Sequence, residues 1–318
     1  MLTRIATAVL FLAIMSPLVA GPPHPVATPL PGVRGVVLVS VDGLRPDLVL
    51  RAEAPTLRAL MARGCFSLWA LTTPLAVTLP SHASMLTGVP PATHGIVWNG
   101  DRPAGARLHP ARPTLFELAR WAGYRTAMAA GKSKFVALAV PGTLDRSYVP
   151  ATSVTTDSTV TDTAVRWIAE SAPQVLFVHL PQVDTAGHAS GWGSNDQLAA
   201  IATADRCIGR LLEALERRHL LDSTVFLVTA DHGGAGRSHG PGDPRSLHIP
   251  WIIAGPGIRH GVDLTLDAGL VIHTEDSFAT LCFVLGIPVT ERITGRVVEA
   301  AFAEPRQPTH APGVGRSP

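Results

Sequence analysis

Five segments far apart in the chain set oxygen or imidazole donors at or just beyond an apolar run. They are Val41-Asp42-Gly43, Thr78-Leu79-Pro80-Ser81-His82, Asp184-Thr185-Ala186-Gly187-His188, Asp231-His232-Gly233-Gly234 and Ser238-His239-Gly240. Strands that end in Asp or His along one edge of a sheet gather enough hard and borderline ligands for two divalent metals. The expected chemistry is two-metal hydrolysis.

Each candidate has a plainer alternative. Asp42 ends a buried run and would be costly there without a cation, so a metal is a sensible partner; the alternative is a helix cap for the segment after Pro46. A hydroxyl at Thr78, opening a helix, sits at the positive end of the helix dipole, and a metal-bound hydroxyl there is a nucleophile near neutral pH. Alone, Thr78 or Ser81 reads as an N-cap. Asp184 and His188 can close on one metal from a single turn, with Gly187 permitting the bend. Asp231-His232 is sharper, because an apolar strand precedes it and two glycines follow. Two sites of three protein ligands each need one more imidazole, and His239 and His248 both qualify.

The elements that must carry these residues alternate. A continuous β-branched run at 35–41 predicts a strand buried on both faces, and 124–130, 174–180, 224–229 and 249–254 predict further strands. Between them, 54–63, 114–123, 161–171, 195–218 and 277–285 predict helices, with Pro55 suited to a first turn and Gly123 and Gly286 to helix ends. Strands alternating with helices predict an α/β fold with a doubly wound, largely parallel sheet and its site at the carboxyl ends of strands. That domain is expected over 35–303, after a signal segment at 1–20 and a Pro/Gly-rich linker at 21–34, and before a frayed tail at 304–318.

A formal net charge of +2 with 16% charged residues argues against a nucleic-acid polymer as partner. One arginine, a short apolar stretch broken by Ser16-Pro17, and small residues near Ala20 predict a secretory signal and a secreted or periplasmic protein without stable membrane association once it is cleaved. Three cysteines, Cys65, Cys207 and Cys282, are an odd set without short spacing and read as buried thiols. None lies in the Cys-x-Pro-x-Arg context that a formylglycine sulfatase needs. Among thirteen His, His109, His219, His260 and His310 read as solvated.

In motif order the chain resembles the alkaline phosphatase superfamily, and within it the nucleotide pyrophosphatase/phosphodiesterase branch, from about Gly35 to about Gly295. Val39-Ser40-Val41-Asp42-Gly43 is similar to the first metal-aspartate segment, Thr78-Leu79-Pro80-Ser81-His82 to the nucleophile segment, and His94-Gly95-Ile96-Val97-Trp98-Asn99 to the segment whose final Asn donates to a phosphoryl oxygen. The resemblance implies one zinc on Asp42, Thr78, Asp231 and His232, and a second on Asp184, His188 and a late histidine. A His-Gly ahead of Ile249-Pro250-Trp251 favours His239 over His248, with His273 third. Hydrolysis is then expected in two displacements through a phosphothreonine, with Asn99 stabilising the equatorial charge.

Lys132 and Lys134 follow a predicted strand and could reach a second anionic group of a substrate, as lysines in a comparable segment of phosphonoacetate hydrolases do; ordinary surface lysines are the plainer reading. Only 100–113 and 139–161 remain for a small cap, which implies an open pocket for a small phosphate ester. Phosphodiester or pyrophosphate cleavage leads. The alternatives are a phosphomonoesterase or phosphonate hydrolase of the same superfamily, and a phosphate-binding protein without turnover.

Overall fold

The computed structural model describes residues 28–100 and 102–303. The expected signal segment, most of the linker and the tail lie outside these residues. Described linker residues pack on the domain: Leu30 and Val33 are buried, the Leu30 amide donates to the Val284 carbonyl and that of Arg34 to Ser223.

Eight strands form one sheet: β1 (Gly35–Val41), β2 (Cys65–Leu71), β3 (Thr126–Ala130), β4 (Arg146–Tyr148), β5 (Val175–Leu180), β6 (Thr224–Thr229), β7 (His248–Ala254) and β8 (Val262–Asp263), in the order β4-β3-β5-β1-β6-β7-β2-β8. Every pairing is parallel except those of β7 with β6 and β2, so β7 alone runs against the rest. The run Val36-Val37-Leu38-Val39 is buried throughout because helices cover both faces of β1, as a central parallel strand requires. Each such side chain withdrawn from water contributes about 1.5–3 kcal/mol against chain entropy.

The predicted helices form with edges moved by their caps. Thr114 accepts from the Glu117 amide while Glu117 accepts from the Thr114 amide, a capping box that starts the helix Leu115–Trp121. Thr156 caps Asp157–Glu170, so that helix begins four residues before the expected 161. The long helix Asn195–Arg217 and Asp276–Val284 follow expectation closely. All three cysteines are buried free thiols, and among the described residues no helix is long and apolar enough to cross a membrane.

Two readings are corrected. Part of the expected cap at 139–161 is β4, which pairs parallel with β3 at the sheet edge. Gly187 does not bend the chain: it lies within the helix Gln182–Ser190, and a Cβ there would come within 2.8 Å of the Trp192 indole.

Candidate metal centre

Adjacent parallel strands β3, β5, β1 and β6 all finish at one edge, and the residues just beyond them are Lys132, Asp184, Asp42 and the pair Asp231-His232. Asp42 follows β1 directly. Gly43 then turns at φ +75°, where a Cβ would meet the Asp184 Cα and Cβ at 3.0 Å, so a side chain at position 43 would push these two acids apart. The Gly43 amide donates to Asp231 Oδ1 at 3.1 Å, and Trp192 Nε1 donates to the Gly43 carbonyl at 2.9 Å.

Asp184 and His188 are one turn apart on Gln182–Ser190, with His188 Nε2 3.3 Å from Asp184 Oδ1. His239 Nε2 lies 3.7 Å from the same oxygen. Asp184, His188 and His239 offer ligand atoms all within 4.8 Å of one another, as do Asp42, Asp184 and His232. Asp231 Oδ2 is 3.3 Å from His232 Nε2, which is 3.4 Å from Asp42 Oδ1.

The three imidazoles share one orientation. Nδ1 of His188, His232 and His239 faces the carbonyls of Arg237, Gly233 and Ala76 at 3.0, 2.8 and 2.8 Å. Donation to a carbonyl fixes the proton on Nδ1 and leaves each Nε2 lone pair for a cation. His248 instead stacks on Trp69, ring centroids 3.7 Å apart, and belongs to neither group.

Among the described residues, four buried atoms of the cluster have no hydrogen-bond partner: Asp42 Oδ1, Asp184 Oδ1, Asp231 Oδ2 and His232 Nε2. Each would be costly to bury alone, and together they are a carboxylate–imidazole donor set suited to zinc-like ions. Burial and the neighbouring Asp42 charge push the Asp231 carboxyl well above its usual range. Burial opposes ionisation of Asp42 as well, but Lys132 and His179 hold its carboxyl well below that range. Burial also opposes the Lys132 charge, and Asp42 and Asp184 outweigh it and raise the ammonium pKa. One ammonium cannot balance three acids, so the donor chemistry fits further cations.

Thr78 opens the wholly buried helix Thr78–Thr87. Ala76, two residues earlier, takes a left-handed φ of 45°, and its carbonyl receives His239 Nδ1. The Leu79 amide donates to Asn99 Oδ1 at 2.9 Å, and Lys134 Nζ donates to the same oxygen at 3.1 Å, which leaves the Asn99 amide hydrogens as donors for another group. Asn99 and Lys134 line a cavity of about 710 Å³ with Trp98, Arg102, Leu108 and Val149, part of it from the segment expected as a cap. Lys132 is 6% exposed, with its Nζ 2.6 Å from both Asp42 Oδ2 and Asp184 Oδ2; it is no surface lysine. Burial lowers the pKa of Lys134.

Two histidines escaped the sequence reading. His179, inside β5, accepts the Gly131 amide on Nδ1 at 3.1 Å, so Nε2 carries the proton and donates to Asp42 Oδ2 at 2.8 Å. His82 donates from Nδ1 to the Thr78 carbonyl at 2.7 Å, and its Nε2 accepts from Ser40 Oγ at 2.8 Å. Burial holds both in the neutral form. Being within the quoted nucleophile segment was the available signal for His82; a polar residue in an apolar strand was the signal for His179.

A sequence profile of type I phosphodiesterases/nucleotide pyrophosphatases matches residues 36–240, a span that holds every residue of this centre. The chain belongs to that family. Within the family it is 29% identical over 220 residues to an uncharacterised pyrophosphatase/phosphodiesterase of Schizosaccharomyces pombe, covering 64% of this chain and 45% of the relative. It is 28% identical over 218 residues to ectonucleotide pyrophosphatase/phosphodiesterase family member 3 of Mus musculus, covering 62% and 24%. The matches thus span less than half the length of these phosphodiesterase relatives. Murine ectonucleotide pyrophosphatase/phosphodiesterase 5, solved as an inactive variant with AMP, superposes at a TM-score of 0.69 and 14% identity over 82% of this chain and 97% of that one, a likeness of fold.

Proposed function

We propose that this member of the type I phosphodiesterase/nucleotide pyrophosphatase family is an exported phosphohydrolase that cleaves phosphodiester or pyrophosphate bonds of small molecules at a two-metal centre, zinc being the preferred ion. The observation that carries the reading is the convergence of four unpartnered buried donors, Asp42 Oδ1, Asp184 Oδ1, Asp231 Oδ2 and His232 Nε2. Asp42, Thr78, Asp231 and His232 would hold one ion, and Asp184, His188 and His239 the other. Bound there, such ions supply Lewis acidity and charge neutralisation at phosphorus.

The chain's own residues do the rest. Thr78 Oγ, at the positive end of a buried helix, forms a bond to phosphorus as the bond to the leaving oxygen breaks; water then displaces Thr78 from the phosphothreonine and restores the hydroxyl. Asn99, anchored by the Leu79 amide through Oδ1, presents its amide hydrogens to an equatorial phosphoryl oxygen. His82 fixes the Thr78 carbonyl from behind. Export rests on the charged and apolar composition of residues 1–20.

A second reading has its own support. Lys134 Nζ beside Asn99 could meet a second negative charge, which a phosphomonoester or phosphonate carries and a diester lacks. Rates on bis-p-nitrophenyl phosphate and p-nitrophenyl phosphate, before and after chelation and zinc restoration, test both. Faster turnover of the diester supports the first reading, faster turnover of the monoester supports the second, and no zinc-restored turnover of either contradicts both.

A further inference from the structure

Among the described residues Lys132 is the one cation buried among the acids, and it touches them on a particular side. Its Nζ lies 2.6 Å from Asp42 Oδ2 and 2.6 Å from Asp184 Oδ2. The other oxygens, Oδ1 of each, are the unpartnered ones, and they face the imidazoles: Asp42 Oδ1 lies 3.4 Å from His232 Nε2, and Asp184 Oδ1 lies 3.3 and 3.7 Å from Nε2 of His188 and His239. His179 supports the same arrangement from the second strand, since it too donates to Asp42 Oδ2. Gly131, which donates to His179 Nδ1, is the residue before Lys132, so the loop after β3 sets ammonium and imidazole together.

We infer that Lys132 is a positioning residue that ties a carboxylate of one proposed metal site to a carboxylate of the other and neutralises the centre before metal enters, rather than a group that meets substrate. This rests on the two-site reading above. The division of labour follows from atoms: an Asp whose Oδ2 is held by a fixed ammonium keeps Oδ1 aimed at the shared focus. The same ammonium compensates charge that would otherwise be buried unpaired.

The consequence separates metal-free from metal-loaded protein. Lys132→Met removes the internal counter-ion, which the metal-free centre needs and the loaded centre can replace. The metal-free melting temperature is expected to fall by about 5 °C or more, the zinc-saturated one by less than half of that. Affinity for the first zinc, read by competition with a chromophoric chelator, is expected to rise at least about tenfold, because loaded protein loses less than metal-free protein. Asp42→Asn should restore metal-free stability in the Lys132→Met background, so that the double variant melts above the single one. A lysine that only fills space would give additive losses. Lys132→Arg, keeping the charge, should stay within a few degrees of the parent and covers the case in which Lys132→Met fails to fold without metal.

A metal-free melting temperature unchanged or raised in Lys132→Met, additivity with Asp42→Asn, or an unchanged zinc affinity overturns the inference. Failure of the parent chain to bind zinc would instead strike the two-metal reading, because the metal-free melting comparison stands without any ion.

Discussion

His179 Nε2 and Asp42 Oδ2 are hydrogen-bonded at 2.8 Å across the pairing of β5 with β1, with the histidine proton fixed by the Gly131 amide on the opposite nitrogen. An outer imidazole of this kind orients a carboxylate ligand and sets its basicity. Replacing His179 by Leu should lower zinc affinity about 10–100-fold while Thr78 and Asn99 remain in place. Isothermal titration with zinc checks this, and parent-like affinity would remove His179 from the centre.

Thr78→Ala should retain zinc, because Asp42, Asp231 and His232 survive, yet lose at least about 10³-fold in kcat on a diester. Metal content by emission spectrometry beside initial rates separates loss of the nucleophile from loss of the ion. A variant of near-parental kcat would exclude Thr78 as the attacking group.

Ser40 donates to His82 Nε2, and both side chains are fully buried. Ser40→Ala leaves that nitrogen without a partner and should cost about 1–3 kcal/mol in a urea titration. A cost below about 0.5 kcal/mol would mean that the Ser40–His82–Thr78 chain does not brace the helix Thr78–Thr87.

Asp157 supplies a pH-dependent stability difference outside the ligand set. Burial pushes its carboxyl up to about 7, although the Gln182 amide donates to it. A folded pKa above the unfolded value means the proton stabilises the folded form, so the contribution is full below about pH 4 and is lost as pH rises through 7. Asp157→Asn should therefore gain on the parent between pH 4 and 7, by at most about 4 kcal/mol, and run parallel to it above. Melting curves of both proteins at pH 5 and pH 8 decide the matter; an equal gap at the two pH values refutes it.

How far the sequence spoke depended on whether the signal was local. An acid follows each of the runs at 35–41 and 224–229, Asp42 directly and Asp231 after one alanine, so both could be placed at strand tips without knowing which strands were neighbours. His179 could not be read in this way. Its partner lies 137 residues away, and the two meet only through the register that sets Ser40 opposite His179. Lys132 looked like a loop lysine because nothing nearby in sequence shows that β3 lies beside β5, which brings its ammonium to Asp184. β2 passed unread since its burial alternates irregularly around a register shift between Ser67 and Ala70, and Trp69 on it is exposed. Gly187 carried a misleading signal: a glycine between Asp and His suggested a bend, whereas tight packing of Trp192 against a helix required it.

The most direct test of the paired centre is anomalous diffraction at the zinc edge from crystals of the zinc-loaded chain. Two peaks are expected, one bounded by Asp42, Thr78, Asp231 and His232 and the other by Asp184, His188 and His239. A single peak, or zinc bound away from these side chains, would contradict the two-ion centre on which the proposed hydrolysis depends.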